Sequence, residues 1–283
     1  MSSNQTAAYP RLINAVSISR WYDPATDTVH ASDGLDQCEP SRLSGFDGPR
    51  AFLLEEHTLW GWDRVDPDRL SRPGFLGWFI PRLRDHIKRE LDAEGRPLTI
   101  IPDLEAVRLN DPRPGVRAER IVYTREILGA IRDEAGPACK IVPYDLPYQD
   151  HAGGDEEYLD LLMPAILPHV DAIGCLLYLP SPGQLGVPEF LRQHLDRCRI
   201  WAQGKPIEGI AWDGYVSTDA GPMSDGHWAD TMHLCAAAQV NTVYLWDSIK
   251  RPADFDRIRE RVPAIKAIMR RAWVRPAAAG EAA

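Results

Sequence analysis

Apolar runs of strand length recur along the chain at residues 12–18, 51–54, 98–101, 139–142, 172–179, 207–212 and 242–246, and most are continuous rather than alternating. A strand with two apolar faces belongs in a parallel sheet covered by helices. Between most of the runs, apolar positions recur with helical spacing, most clearly over 77–91, 117–133, 155–167, 188–202, 227–238 and 252–271. In the fourth of these, Phe190, Leu191, His194, Leu195 and Cys198 gather on one side, which predicts a helix laid on a sheet. Pro188 and Pro252 fall in first turns, where proline is tolerated, whereas Pro81, Pro164 and Pro168 are predicted to kink or end their helices.

Strands alternating with helices define an α/β chain, either an open doubly wound sheet or a closed barrel. No glycine-rich phosphate loop follows the first run, which removes the usual sign of a nucleotide-binding open sheet. Acids and aromatics stand at nearly every strand end instead. The reading is a (β/α) TIM-type barrel of parallel strands, with seven recognised and room for an eighth. It spans residues 1–275 as a single catalytic domain, followed by an unstructured tail over 276–283. Residues 21–49, rich in Asp, Gly, Ser and Pro, read as a long loop that shapes a cleft.

With 283 residues and 44% hydrophobic content the chain can bury one large core. A net charge of -9 argues against a groove for nucleic acid. Cys38, Cys139, Cys175, Cys198 and Cys235 are odd in number, widely spaced and free of C-x-x-C, so buried free thiols are expected rather than disulfides or zinc. The chain shows neither an export signal nor a run of membrane-spanning length, and a cytoplasmic protein without membrane contact is expected. His227 and His233 lie six apart on one helix and diverge in direction, no ligand spacing stands out elsewhere, and no metal or cofactor is expected. A G-x-S-x-G elbow is lacking, so acyl transfer has no support. The charged stretches 82–89 and 254–261 read as solvated helix faces.

The candidate chemistry centres on Leu98-Thr-Ile-Ile-Pro-Asp-Leu-Glu105. On an extended strand Asp103 and Glu105 share a face, and strand ends are where barrel active sites lie. Helix capping or pairing with Arg108 is the structural alternative. Later strands end on Tyr144-Asp145, Tyr178, Trp212-Asp213-Gly-Tyr215 and Trp246-Asp247, and Trp60 follows the second strand. Each of these aromatics has an ordinary reading as core cover or packing, and each Asp as a cap. Together they form a ring of substrate-binding candidates around Asp103 and Glu105. Paired carboxylates among aromatic floors and hydroxyl donors suit glycoside hydrolysis.

The order of elements resembles the hyaluronidase-type glycoside hydrolases, whose distorted barrel carries an Ile-Asp-aromatic-Glu motif at the end of its third strand. The matching stretch here is Ile100-Ile-Pro-Asp-Leu-Glu105, with Leu104 in place of the aromatic. Residues 143–147, 177–179 and 244–248 look like the family's later strand ends, and chitinase-like barrels use a related D-x-E logic. The resemblance implies substrate-assisted retaining catalysis on N-acetylhexosamine-containing glycans. Glu105 would be general acid and base, and Asp103 would support the acetamido group. Tyr144 and Tyr178 would hydrogen-bond that group, and Trp246 would floor the sugar pocket. Two alternatives stay open: a retaining or inverting glycosidase that pairs Glu105 with Asp213 or Asp247, and a catalytically silent barrel that binds glycans through its aromatic rim.

Overall fold

The computed structural model describes residues 10–18, 20–23, 28–31, 43–55, 74–94, 98–104, 114–146, 156–179, 187–214, 221–249 and 252–273. In chain order the main strands are β1 (Arg11–Asn14), β5 (Ala51–Glu55), β6 (Thr99–Asp103), β7 (Lys140–Ile141), β8 (Ile173–Leu176), β9 (Ile207–Trp212) and β10 (Thr242–Trp246). Shorter strands are β2 (Ser17–Ile18), β3 (Arg20–Asp23), β4 (Thr28–Ala31) and β11 (Ser248–Ile249). The helices are α1 (Phe75–Glu94), α2 (Pro114–Ala135), α3 (Glu156–Ile166), α4 (Val187–Ala202), α5 (Asp225–Ala237) and α6 (Pro252–Trp273). Every apolar run and every helical pattern read from the sequence is found as an element of the expected type.

The main strands form two parallel arcs, β5-β6-β7 and β8-β9-β10-β1. Aspartates join the arcs. Asp47 donates its backbone N–H to the Leu12 carbonyl at 2.8 Å, and its carboxylate accepts the Leu12 N–H at 3.0 Å. Across the other seam Asp171 does the same to Ile141, at 2.9 and 2.7 Å. One interior cluster collects Ile13, Leu53, Ile101, Val142, Leu176, Ile210 and Tyr244 from both arcs, as the inside of a barrel does. Residues of opposite parity, such as Leu12, Leu54, Ile100, Ile141, Cys175, Ala211 and Val243, pack instead in the layer shared with the helices. Both faces of each strand are therefore buried, which is why the runs are continuous.

Pro81 and Pro164 lie inside α1 and α3 without ending them, because a proline removes one backbone donor and the rest of the helix remains packed; Pro263 does the same in α6. One expectation is corrected. The stretch read as loop over 21–49 contains an antiparallel pair, β3 with β4, and β2 pairs in parallel with β11.

At the N-terminal end of the interior, Glu208 is 5% exposed, accepts a 2.6 Å hydrogen bond from the Tyr244 hydroxyl and pairs with Lys140. Burial, and then the Glu208 charge, push the Tyr244 phenol well above its ordinary range. Glu208→Ala strips the buried phenol of this acceptor and is expected to cost about 2 kcal/mol. Urea unfolding that shows Glu208→Ala within roughly 0.5 kcal/mol of the wild type would remove this network from the stability of the barrel floor.

Candidate active site

At the C-terminal strand ends the interior face becomes aromatic and polar. Ile101 faces the interior and Leu104 the helix layer, so Asp103, two residues after Ile101, ends β6 on the inner face and is buried. By the same parity Tyr144, Tyr178, Trp212 and Trp246 come together at the ends of β7, β8, β9 and β10. The Tyr144 and Tyr178 hydroxyls are hydrogen-bonded at 2.9 Å with their rings edge to face at 6.2 Å. Trp246 stacks on Tyr178 at 6.0 Å and 27°, and meets Tyr144 at 6.4 Å and Trp212 at 6.0 Å. Spacings of this kind are those of cohesive aromatic clusters.

Gly174 permits this convergence. A Cβ there would stand 2.2 Å from the Pro143 carbonyl oxygen, so the missing side chain lets the chain after β7 press against β8 and carry Tyr144 to Tyr178. Burial, then the neighbouring Tyr144, then the charge of Asp103 hold the Tyr178 phenol well above its ordinary range. Tyr178 therefore sits as a neutral hydroxyl within reach of the Asp103 charge. Trp212 and Trp246 are only partly buried, which leaves part of each indole uncovered at the mouth. The Trp246 Nε1–H is itself buried and has no hydrogen-bond partner among the described residues.

The aspartates that follow the aromatics belong to a different layer. Strand alternation turns the residue after an inward aromatic outward, and Asp213 accepts hydrogen bonds from the Trp228 indole at 2.8 Å and from Arg261 at 3.0 and 3.2 Å. Asp247 accepts from Arg257 at 2.6 Å, and Arg257 also lies 3.7 Å from Asp213. Asp213 and Asp247, read from the sequence as substrate contacts or partners of Glu105, are both buried and anchor α6 through these arginines. The structure corrects the reading of 254–261 as a solvated face, since Arg257 and Arg261 reach inward to these carboxylates. Asp145 is likewise buried, with a left-handed backbone at φ 52, and acts electrostatically on Cys175 and His194 in the helix layer as well as on Tyr178. Glu105, Tyr215 and Trp60 lie outside the described residues.

What the arrangement offers is two phenol hydroxyls, one carboxylate and two indole faces around one strand-end surface. Such groups can stack on the apolar face of a hydroxylated ring and hold an amide or hydroxyl oxygen.

No family model matches the chain, and none of the curated proteins does. Among solved structures it is similar to bee venom hyaluronidase in complex with a hyaluronic acid tetramer, at 14% identity and a TM-score of 0.47 over 91% of this chain and 87% of that one. It is also similar to methylaspartate ammonia lyase from Clostridium tetanomorphum, at 13% identity and a TM-score of 0.44 over 81% of this chain and 43% of that one. α-L-Fucosidase isoenzyme 2 from Paenibacillus thiaminolyticus aligns at 14% identity and a TM-score of 0.53, over 93% of this chain but only 43% of its own length. At these identities the likeness is one of fold alone.

Two outcomes follow from the geometry. Arg261→Ala leaves the buried Asp213 carboxylate with a weaker set of partners and is expected to destabilise by about 3 kcal/mol, measurable by chemical denaturation; a loss of less than roughly 1 kcal/mol would class this pair with exposed ones. Because the fold holds Tyr178 protonated, titration of tyrosinate absorbance up to about pH 11 is expected to count as many ionising tyrosines in Tyr178→Phe as in the wild type. One fewer in the variant would show that Tyr178 ionises normally.

Proposed function

We propose that the protein is a glycoside hydrolase acting on N-acetylhexosamine-containing glycans by substrate-assisted retaining catalysis. The observation that carries the reading is the convergence of Asp103, the Tyr144–Tyr178 hydroxyl pair and the partly uncovered Trp246 on one inner face at the strand ends. In this reading Glu105 protonates the leaving oxygen and then takes a proton from water. Asp103 orients the acetamido N–H as its oxygen attacks the anomeric carbon. Tyr144 and Tyr178, the latter kept neutral by burial, donate to the acetamido oxygen, and Trp246 floors the sugar with Trp212 beside it. The alternation that runs through Ile101, Asp103 and the outward Leu104 supports the assignment of Glu105, the next residue in the same pattern. The engagement of Asp213 and Asp247 by arginines disfavours either as an opposed second acid.

The test is turnover of N-acetylhexosaminides by purified protein. On a substrate with a poor leaving group, Glu105→Gln is expected to lose at least roughly a hundredfold in kcat, with partial rescue by an activated aryl glycoside that needs little protonation. Asp103→Asn is expected to be impaired on both substrates. Wild-type turnover in Glu105→Gln on the unactivated substrate would remove this residue from the mechanism. Glycan binding without turnover, unchanged by Glu105→Gln, would make the site a lectin-like rim.

A further inference from the structure

Behind the aromatic cluster, in the layer between β8 and α4, lies a second group of chemistry-bearing side chains. Cys175 projects outward from β8, and His194 and Cys198 stand one turn apart on the face of α4 laid against the strand. All three are buried, and one ligand atom from each lies within 4.8 Å of the other two. The Cys198 Sγ is 3.8 Å from His194 Nε2. We propose that Cys175, His194 and Cys198 bind a single zinc ion that clamps α4 to β8.

Three considerations support this assignment. The first is geometric: with zinc–sulfur and zinc–nitrogen bonds of about 2.3 and 2.0 Å, ligand atoms on one tetrahedral zinc stand roughly 3.5–3.8 Å apart. The group is already near that spacing, so small side-chain rotations close it around an ion. The second is charge. Two thiolates and a neutral imidazole exactly cancel a divalent cation, which suits a site cut off from water, whereas a monovalent copper ion would leave a net negative charge there. The third is the histidine itself. An imidazole 5% exposed in an apolar layer gains little from a thiol 3.8 Å away, and ligation gives that nitrogen a full partner.

The fourth tetrahedral position falls to a water, with Asp145 beside the group but outside the ligand triangle. Asp145 is 2% exposed and close enough to act electrostatically on both Cys175 and His194. Its unusual backbone at φ 52 turns it to this side while its neighbour Tyr144 enters the mouth. Tyr178 lies three residues after Cys175, so the zinc would brace the end of β8, the strand that carries one of the two hydroxyls. An ion this enclosed enters during folding, and its binding energy becomes folding energy.

Metal analysis of the full chain, purified under reducing conditions without a metal-chelating tag, is expected to give about one zinc per chain. Cobalt added in place of zinc is expected to give the intense near-ultraviolet thiolate-to-metal bands and the strong visible bands of a tetrahedral site. Cys198→Ser and His194→Ala are expected to lower the metal to less than about a tenth of an ion per chain, while Cys139→Ser, a buried thiol elsewhere, keeps it. Should the ligand variants fail to fold, the cobalt spectrum of the wild type decides alone. Wild-type protein with no zinc and no thiolate-to-cobalt bands would overturn the proposal, as would recovery of Cys175 and Cys198 joined in a disulfide. None of these readouts depends on glycoside turnover, so failure here and failure of the proposed activity are separable.

Discussion

A carboxylate is tolerated away from water only when cations and donors accompany it, and Asp213 and Asp247 impose that condition on the C-terminal half of the barrel. Arg261 and Arg257 are delivered by α6, and the Trp228 indole by α5, so two helices are fixed against the ends of β9 and β10 by the needs of two buried charges. Arg261 also reaches the Met223 carbonyl and Asp225 at 2.8 Å each, which ties in the segment leading into α5. Because each of these aspartates directly follows an inward tryptophan, anchoring the acid on one side fixes the indole on the other. The orientation of Trp212 and Trp246 at the mouth is thus set from the helical layer.

The same alternation explains what could and could not be read from the chain. Continuous apolar runs disclosed the strands because both of their faces are covered, and the amphipathic spacing disclosed the helices. The inner position of Tyr144, Tyr178, Trp212 and Trp246 followed from parity and strand ends. The acids beside them were harder. In Trp212-Asp213 and Trp246-Asp247, adjacency in sequence suggests a shared site, while the pleat sends neighbours to opposite layers. Their partners are 44–48 residues away in Asp213–Arg257 and Asp213–Arg261, and nothing local marks those arginines as inward. A run of alternating charge such as 254–261 looks the same whether a helix shows it to solvent or to buried acids.

The cysteines show a similar limit. Cys139, Cys175, Cys198 and Cys235 are free and buried, as their spacing implied. What spacing did not disclose is the triangle of Cys175, His194 and Cys198. Its His and second Cys are one helical turn apart, a separation common in any amphipathic helix, and its third member sits on the preceding strand. Only the packing of α4 on β8 turns an unremarkable pair into a group of three. Likewise, no local signal announces that Pro81 and Pro164 are carried within helices, since whether a helix survives the loss of one donor depends on what packs against it.

The two seams of the barrel are built differently from its ladders. Inside each arc, backbone groups pair with backbone groups, and separating them requires strands to move. At the seams half of each reciprocal pair is a side chain: the Leu12 and Ile141 amides are held by the carboxylates of Asp47 and Asp171. Each carboxylate is also held by a cation, Lys266 on Asp47 and Arg132 on Asp171, and once that ion pair opens, rotation about a side-chain torsion, a motion of roughly picoseconds to nanoseconds for accessible residues, releases the bond without displacing a strand. The wall therefore has two lines along which it can loosen on the time scale of side-chain motion, one between β1 and β5 and one between β7 and β8. The second runs between the strands that go on to carry Tyr144 and Tyr178, so it borders the span between those hydroxyls.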